Sequence, residues 1–295
     1  MSNEKLSLAN WIAGAEAAHE SFADYVAKVA AAEMETADIA LLAKMGEMLQ
    51  VMEESIAFGL SGIKSRSGLT GGSARILQAA LAEKRGPHLL GPVAEDAVIY
   101  ALAVAESNAA MGRIVAAPTA GASGVLPGVL FALKKHSKCS ELDLEKALVV
   151  AGGIGQVIAS RASLAGATGG CQAECGSAAA MAAGAAVQLL GGSGVQIGVA
   201  VSIVFKNILG LVCDPVAGLV EVPCIKRNGA CALQALLAAE LALAGVGSFI
   251  PVDEAIDAMD KVGNQLPCAL RETAQGGMAT TPTALAWAKK YFGQE

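Results

Sequence analysis

Three cysteines in the second half of the chain have settings that could do chemistry. Cys171 lies in Gly169-Gly170-Cys171-Gln172-Ala173-Glu174-Cys175-Gly176, Cys213 in Val212-Cys213-Asp214-Pro215, and Cys224 in Val222-Pro223-Cys224-Ile225-Lys226-Arg227-Asn228. The spacings are 42 and 11 residues. Three thiolates can hold a cubane iron–sulfur cluster and leave one iron without a protein ligand. Such an iron can take a substrate oxygen and act as a Lewis acid, the chemistry of a hydro-lyase rather than of an electron carrier. Each cysteine stands beside Gly or Pro in a segment read as a loop, which can aim a thiolate at a shared point while nearby N–H groups tune the cluster. The plainer reading is that these are core residues, since free cysteine packs like a small hydrophobe and dispersed single cysteines carry no short-range spacing code. Residues alone leave both readings open. Cys175 lies four positions after Cys171 and would share its face in a helix. With Ala178 following, the segment is not a C-x3-C-x2-C run, and it is not a C-x2-C zinc knuckle; Cys175 is read as packing or support.

The elements that must position these residues read mostly as helix. The 295 residues are 54% hydrophobic, 16% charged and 4% aromatic, with Ala, Leu, Val and Gly supplying most of the apolar content. The expectation is an all-α fold, one large domain (1–295) of tightly packed Ala/Gly-rich helices with glycine-rich active-site loops. About 1–60 is a more charged helical flanking layer. Apolar positions at spacings of three and four run from about 6 to 59, as in Leu41, Met45, Met48, Met52 and Ile56. A glycine-rich loop at 62–72 follows, then helices over 73–84 and 94–111. A second glycine-rich loop spans 116–128. Helices over 129–135 and 142–163 lead to the first cysteine loop. After it come an Ala-rich helix, a break at 192–194, a helix to 211 and the loop of the second and third cysteines. Helices over 228–244 and 252–262 and one after Thr283 complete the chain.

The uncharged run 175–205 exceeds the ~20 residues a membrane span needs. It also holds Gly191, Gly192, Gly194, Gly198, Gln188, Ser193 and Gln196 and lacks flanking aromatic belts, so a buried core is expected. Met1-Ser2-Asn3-Glu4-Lys5 opens without an apolar leader, so no signal peptide is expected. Seven cysteines, an odd number, in a chain of this size suit a reducing compartment and a cytoplasmic location. The net charge of −6 and the lack of a basic block argue against nucleic acid as a partner. There is no G-x-S-x-G and no phosphate loop, and Gly153-Ile154-Gly155 lacks the third glycine of a dinucleotide fingerprint.

Several further segments complete a pattern: Glu33-Met34-Glu35 with Met52-Glu53-Glu54, Ser67-Gly68-Leu69-Thr70-Gly71-Gly72, Asn108-Ala109-Ala110-Met111-Gly112, Ala117-Pro118-Thr119-Ala120-Gly121-Ala122-Ser123-Gly124, and Leu266-Pro267-Cys268-Ala269-Leu270-Arg271-Glu272-Thr273 through Thr281-Pro282-Thr283. With the three cysteine segments they cover nearly the whole chain. In them the sequence resembles the alpha subunit of the iron–sulfur-dependent L-serine dehydratases, the type with separate alpha and beta chains.

That resemblance implies a [4Fe–4S] cluster on Cys171, Cys213 and Cys224, with L-serine bound through its hydroxyl at the open iron. A base removes the α-proton and water leaves, because iron offsets the poor leaving ability of hydroxide. The aminoacrylate product then gives pyruvate and ammonia. Pyridoxal phosphate is not needed, although Lys64 and Lys226 lie in polar segments. Candidate donors to the substrate carboxylate are Thr119, Gly121 and Ser123 in one loop and Ser67 and Thr70 in the other. Glu174 and Lys226 are the candidates for proton transfer. Lys226, Arg227 and Asn228 can orient Cys224 or offset the cluster's charge. His19 and His136 read as surface residues and His88 as a turn residue. The resemblance places site histidines, and the base with them, on a separate beta chain, so the working enzyme is expected to be an oligomer with that partner.

Single-chain relatives end in a cysteine that can cap the open iron. Here Cys268 is the last cysteine, so an oxygen-sensitive cluster is expected. The same site could act on L-cysteine or L-threonine, and the remaining alternative is a helical scaffold subunit without a cluster.

Overall fold

Small side chains decide the architecture. The segment Ser177–Leu189 holds nothing bulkier than Met181 and Leu189, and every residue from Ser177 to Val187 is buried. A helix that is apolar all round belongs in the middle of a bundle. In the computed structural model, which describes residues 5–293, it occupies that place. The helices are α1 (Leu8–Ala18), α2 (Phe22–Glu33), α3 (Asp38–Leu60), α4 (Ser73–Ala82), α5 (Pro92–Ala109), α6 (Val125–His136), α7 (Glu141–Arg161), α8 (Gly166–Gly169), α9 (Ser177–Leu189), α10 (Gly194–Ile208), α11 (Cys224–Leu243), α12 (Val252–Gln265) and α13 (Pro282–Phe292). Among the described residues there is no sheet, only isolated bridges between Lys64 and Gly71 and between Cys213 and Arg271. The fold is all-α, as the sequence implies.

Around α9 pack α6, α7, α10 and α11, and α5 lies across α3, α6 and α11. The approach is close: a Cβ on Gly184 of α9 would meet side chains of Ile154 on α7 and Ile197 on α10. Local signals start the helices. Ser140 and Asp143 form a capping box at α7, and Ser193 and Gln196 form one at α10, each satisfying end N–H groups reciprocally. Gln196 also donates to Ala242 O at 3.1 Å, which ties the start of α10 to the end of α11.

The continuous N-terminal pattern divides into α1, α2 and α3, with His19 and Glu35 in the left-handed region (φ 55 and 50) at the breaks. Heptad-like spacing continues across such breaks because each helix buries the same kind of face. These helices join the main core through Leu8, Trp11, Val26, Leu49 and Met52. Leu8 N–H donates to Asp253 at 2.9 Å, so α12 caps α1. Three further boundaries move. The second glycine-rich loop ends at Gly124, because Pro127 sits in the first turn of α6, where proline is tolerated. Helix α10 ends at Ile208, and α11 begins at Cys224, four residues before the sequence-based start. The uncharged run 175–205 is split between α9 and α10, and no helix among the described residues is long and apolar enough to cross a membrane. Met1–Glu4 and Gln294–Glu295, where the expectations about a leader and the chain end partly fall, lie outside the described residues.

Candidate active site

The three cysteines arrive on three different elements. Cys171 follows Gly170, whose φ of 77° suits a residue without a Cβ, and it opens a π-helical turn, Gln172–Gly176, that runs into α9. The sequence places Cys171 in a loop; the chain is instead helical there, which puts Cys171 and Cys175 on neighbouring turns. Gln172 fixes this turn. Its N–H donates to Leu211 O at 3.0 Å, its Oε1 accepts from Gly210 N–H at 2.9 Å, and its Nε2 donates to Met259 O at 2.9 Å. Cys213 lies in extended chain, with its N–H donating to Leu270 O (2.9 Å) and its carbonyl accepting from Glu272 N–H (2.7 Å). Cys224 is the first residue of α11 rather than a loop residue.

Buried polar groups clamp these elements together. Asp214, 2% exposed, pairs through Oδ1 with Arg227 Nη2 at 2.8 Å, and its Oδ2 accepts from Met278 N–H at 2.7 Å. Arg227 also donates to Val212 O at 2.8 Å. Asn228, fully buried, accepts from Gly124 N–H at 2.9 Å and donates to Gly121 O (2.8 Å) and Cys224 O (3.0 Å). It thereby holds the loop 117–124 against α11. The other glycine-rich loop is held by Glu221, whose Oε2 accepts from Ser67 Oγ and Thr70 Oγ1, both at 2.8 Å.

The Asp214–Arg227 pair is the strongest of these clamps, because breaking a buried pair strands a charge. Asp214→Ala is expected to cost about 3 kcal/mol in urea unfolding. The double variant Asp214→Ala/Arg227→Met is expected to recover much of it.

All three cysteines are buried, and their thiols lie near enough to act on one another's charge. Burial pushes the Cys224 thiol up to about 12 and the Cys213 thiol higher still. The Cys171 thiol is raised by its hydrogen-bonding neighbour Cys175 and then by burial. Cys175 in turn lies between Cys171 and Cys231. Arg227 supplies the opposing positive charge: burial works against it, but Cys171 and Asp214 hold its pKa above the ordinary value. No three His, Cys, Asp or Glu side chains among the described residues close on a point suited to a single ion.

Glu174 stands at the centre of the remaining polar groups. A Cβ on Gly166 would lie 2.6 Å from Glu174 Oε2 and 3.0 Å from Cys213 Sγ, and one on Gly121 would lie 3.7 Å from Glu174 Oε1. Burial raises the Glu174 pKa, the Thr119 hydroxyl opposes that rise, and the charge of Glu272 adds to it. Thr119 Oγ1 faces Glu174 closely enough to act on it but makes no aligned hydrogen bond; Ser123 Oγ and Ser177 Oγ are likewise buried without a partner.

Of the residues singled out from sequence, Cys171, Cys213, Cys224, Glu174, Thr119 and Gly121 come together here. Ser123 is sealed in the core at the loop's end. Ser67 and Thr70 meet Glu221, and Lys226 is exposed, with Nζ donating to Ser73 Oγ at 3.1 Å. The histidines have other partners or none: His88 faces Glu95, His136 faces Asp96, and His19 ends α1. Asp214, Glu221 and Gly166 carry geometry that sequence reasoning missed. The available signal was an acid set among apolar residues, as in Leu219-Val220-Glu221-Val222.

Three buried thiols, carried on three elements, thus lie around a desolvated carboxylate. Comparison gives the family. Residues 12–279 match the family described as serine dehydratase alpha chain. A probable L-serine dehydratase alpha chain of Bacillus subtilis is 53% identical over 250 residues, covering 85% of this chain and 83% of that one. The L-serine dehydratase alpha chain of Peptoniphilus asaccharolyticus is 49% identical over 198 residues (67% and 68%). The L-serine dehydratase TdcG of Escherichia coli is 43% identical over 183 residues, 61% of this chain and 40% of the longer relative. The chain belongs to the serine dehydratase alpha-chain family, and with it to the lyases.

Proposed function

We propose that this chain is the alpha subunit of an iron–sulfur-dependent L-serine ammonia-lyase, working with a separate beta chain to convert L-serine to pyruvate and ammonia. The observation that carries this reading is the convergence of Cys171, Cys213 and Cys224 from three elements into one buried place beside Glu174 and Arg227. The donor set fits a [4Fe–4S] cluster. Three soft sulfur donors lie together, Arg227 opposes their negative charge, and burial alone would make three adjacent thiolates costly. When bound there, the cluster supplies Lewis-acid help to the departing hydroxyl.

The chain's own residues do the rest. Gly166 leaves room beside Cys213 and Glu174 that a side chain would fill. Thr119 and Gly121 offer donors to the substrate carboxylate on the loop that enters α6, while the sealed Ser123 does not reach it. Glu174 holds or passes a proton; a carboxyl lifted by burial is a better acceptor near neutral pH than a solvated one. Lys226, whose Nζ donates to Ser73 Oγ at the start of α4, is not assigned the proton transfer in this reading. The beta chain covers the mouth and completes its polar lining.

The experiment is co-expression with the beta chain, anaerobic isolation, and measurement of pyruvate release from L-serine and L-cysteine and of 2-oxobutanoate from L-threonine. Release that is fastest from L-serine is expected. No release from any of the three would overturn the reading.

A further inference from the structure

Among the carboxylates buried or half-buried around the cysteine-bearing elements, three have an evident use. Asp214 is committed to Arg227 and to Met278 N–H. Glu106, 1% exposed, accepts from Ser73 N–H (2.7 Å) and Ala74 N–H (3.4 Å) at the start of α4, where the helix end favours negative charge. Glu174 has the proton-handling place described above.

Glu221 holds the loop 65–72, but through only one of its two oxygens. It is 6% exposed. No Lys, Arg or His nitrogen among the described residues lies within ion-pair reach of it. Its Oε2 takes both hydroxyl donors, from Ser67 and Thr70. Among the described residues its Oε1 has no hydrogen-bond partner, yet it is not among the partnerless atoms sealed from solvent. The residue is also close in the chain to the cysteine site: its carbonyl accepts from Ile225 N–H at 3.1 Å, in the turn that presents Cys224. Ser65, hydrogen-bonded to Ser67 at 3.1 Å, completes the support behind the carboxylate.

A carboxylate removed from water without a cation is costly, and two hydroxyls offset only part of that cost. One oxygen held in place by two donors and the other left open is the arrangement of a receptor awaiting a positive ligand group.

We propose that Glu221 Oε1 receives the α-ammonium group of the substrate, and that Ser67 and Thr70 are positioning residues that fix the carboxylate for it. This rests on the reading of the chain as an amino-acid lyase and adds a binding subsite to it. The receptor selects α-amino acids over 2-hydroxy acids of the same shape, because a hydroxyl brings no charge to pair. It also separates the tasks of the two glycine-rich loops: the loop 117–124 faces the substrate carboxylate, and the loop 65–72 serves its ammonium through Glu221.

The test compares wild-type and Glu221→Gln enzymes as the anaerobic complex with the beta chain. Glutamine keeps an oxygen for Ser67 and Thr70 and removes the charge. The KM for L-serine is expected to rise about 30-fold, the loss of one charge-assisted hydrogen bond, with a smaller fall in kcat. The inhibition constant of 3-hydroxypropanoate, which is serine without its ammonium, should not change. An unchanged KM, or equal weakening of both ligands, would overturn the proposal. If Glu221→Gln does not assemble, Ser67→Ala/Thr70→Val keeps the charge but releases it. That variant should weaken L-serine and leave 3-hydroxypropanoate alone, and equal effects on the two would again overturn the proposal. A wild-type complex that releases no pyruvate from L-serine defeats the functional reading itself; a normal wild type with an indifferent Glu221→Gln defeats only this subsite.

Discussion

Cys213→Ala is expected to abolish L-serine turnover and bound iron together while leaving the fold in place. The backbone of Cys213 makes its structural contacts, to Leu270 O and from Glu272 N–H, and alanine keeps both. What it loses is one of the three thiolates proposed to hold the cluster. Cys171→Ala and Cys224→Ala should behave alike. Cys231→Ala is the control: that thiol is buried in α11 beside Cys175, so the variant should keep iron and turnover and lose only about 1 kcal/mol of stability. Iron analysis, circular dichroism and pyruvate release on the four variants check this. A Cys213→Ala enzyme with normal metal and turnover would contradict it.

Glu174→Gln carries the second large effect, and here activity and stability move in opposite directions. In the proposed role of proton carrier, Glu174 would be worth about 10²–10⁴ in kcat, so the variant is expected to lose that much with little change in KM. Burial raises the Glu174 pKa above 4.5 in the folded chain. A carboxyl with a raised folded pKa contributes stability that is complete below its unfolded value and is lost as pH rises through its folded value. The wild type therefore loses stability across that window, and Glu174→Gln, which has no charge to desolvate, does not. Urea unfolding of the two metal-free chains over a pH series should show the variant gaining on the wild type as pH rises from about 4.5. Equal slopes, or a variant with undiminished kcat, would count against the assignment.

How much of this was legible in the sequence follows from what each signal measures. The all-α fold was, because the Ala-rich run 177–189 and the spacing of Leu41, Met45, Met48 and Met52 report burial periodicity directly. The breaks at His19 and Glu35 were not, since no Gly or Pro marks them and the left-handed turns are imposed by packing. The proposed cysteine set comes from family resemblance alone, because Cys213 and Cys224 lie 42 and 53 residues from Cys171 and no local code links them. Ser67 and Thr70 were legible as polar residues of a special loop. That both hydroxyls serve Glu221 was not, since the pairing joins residues 154 and 151 positions apart. Asp214 and Arg227 show the same limit: each is adjacent in sequence to a conspicuous motif, yet only the folded chain brings them to 2.8 Å.

The most direct test of the central claim is iron and acid-labile sulfide analysis of the anaerobic complex of this chain with its beta chain, read beside its L-serine turnover. About four iron and four sulfide per alpha chain are predicted, with colour, metal and turnover disappearing together on exposure to air. A colourless complex free of iron that releases pyruvate from L-serine at full rate would contradict the account.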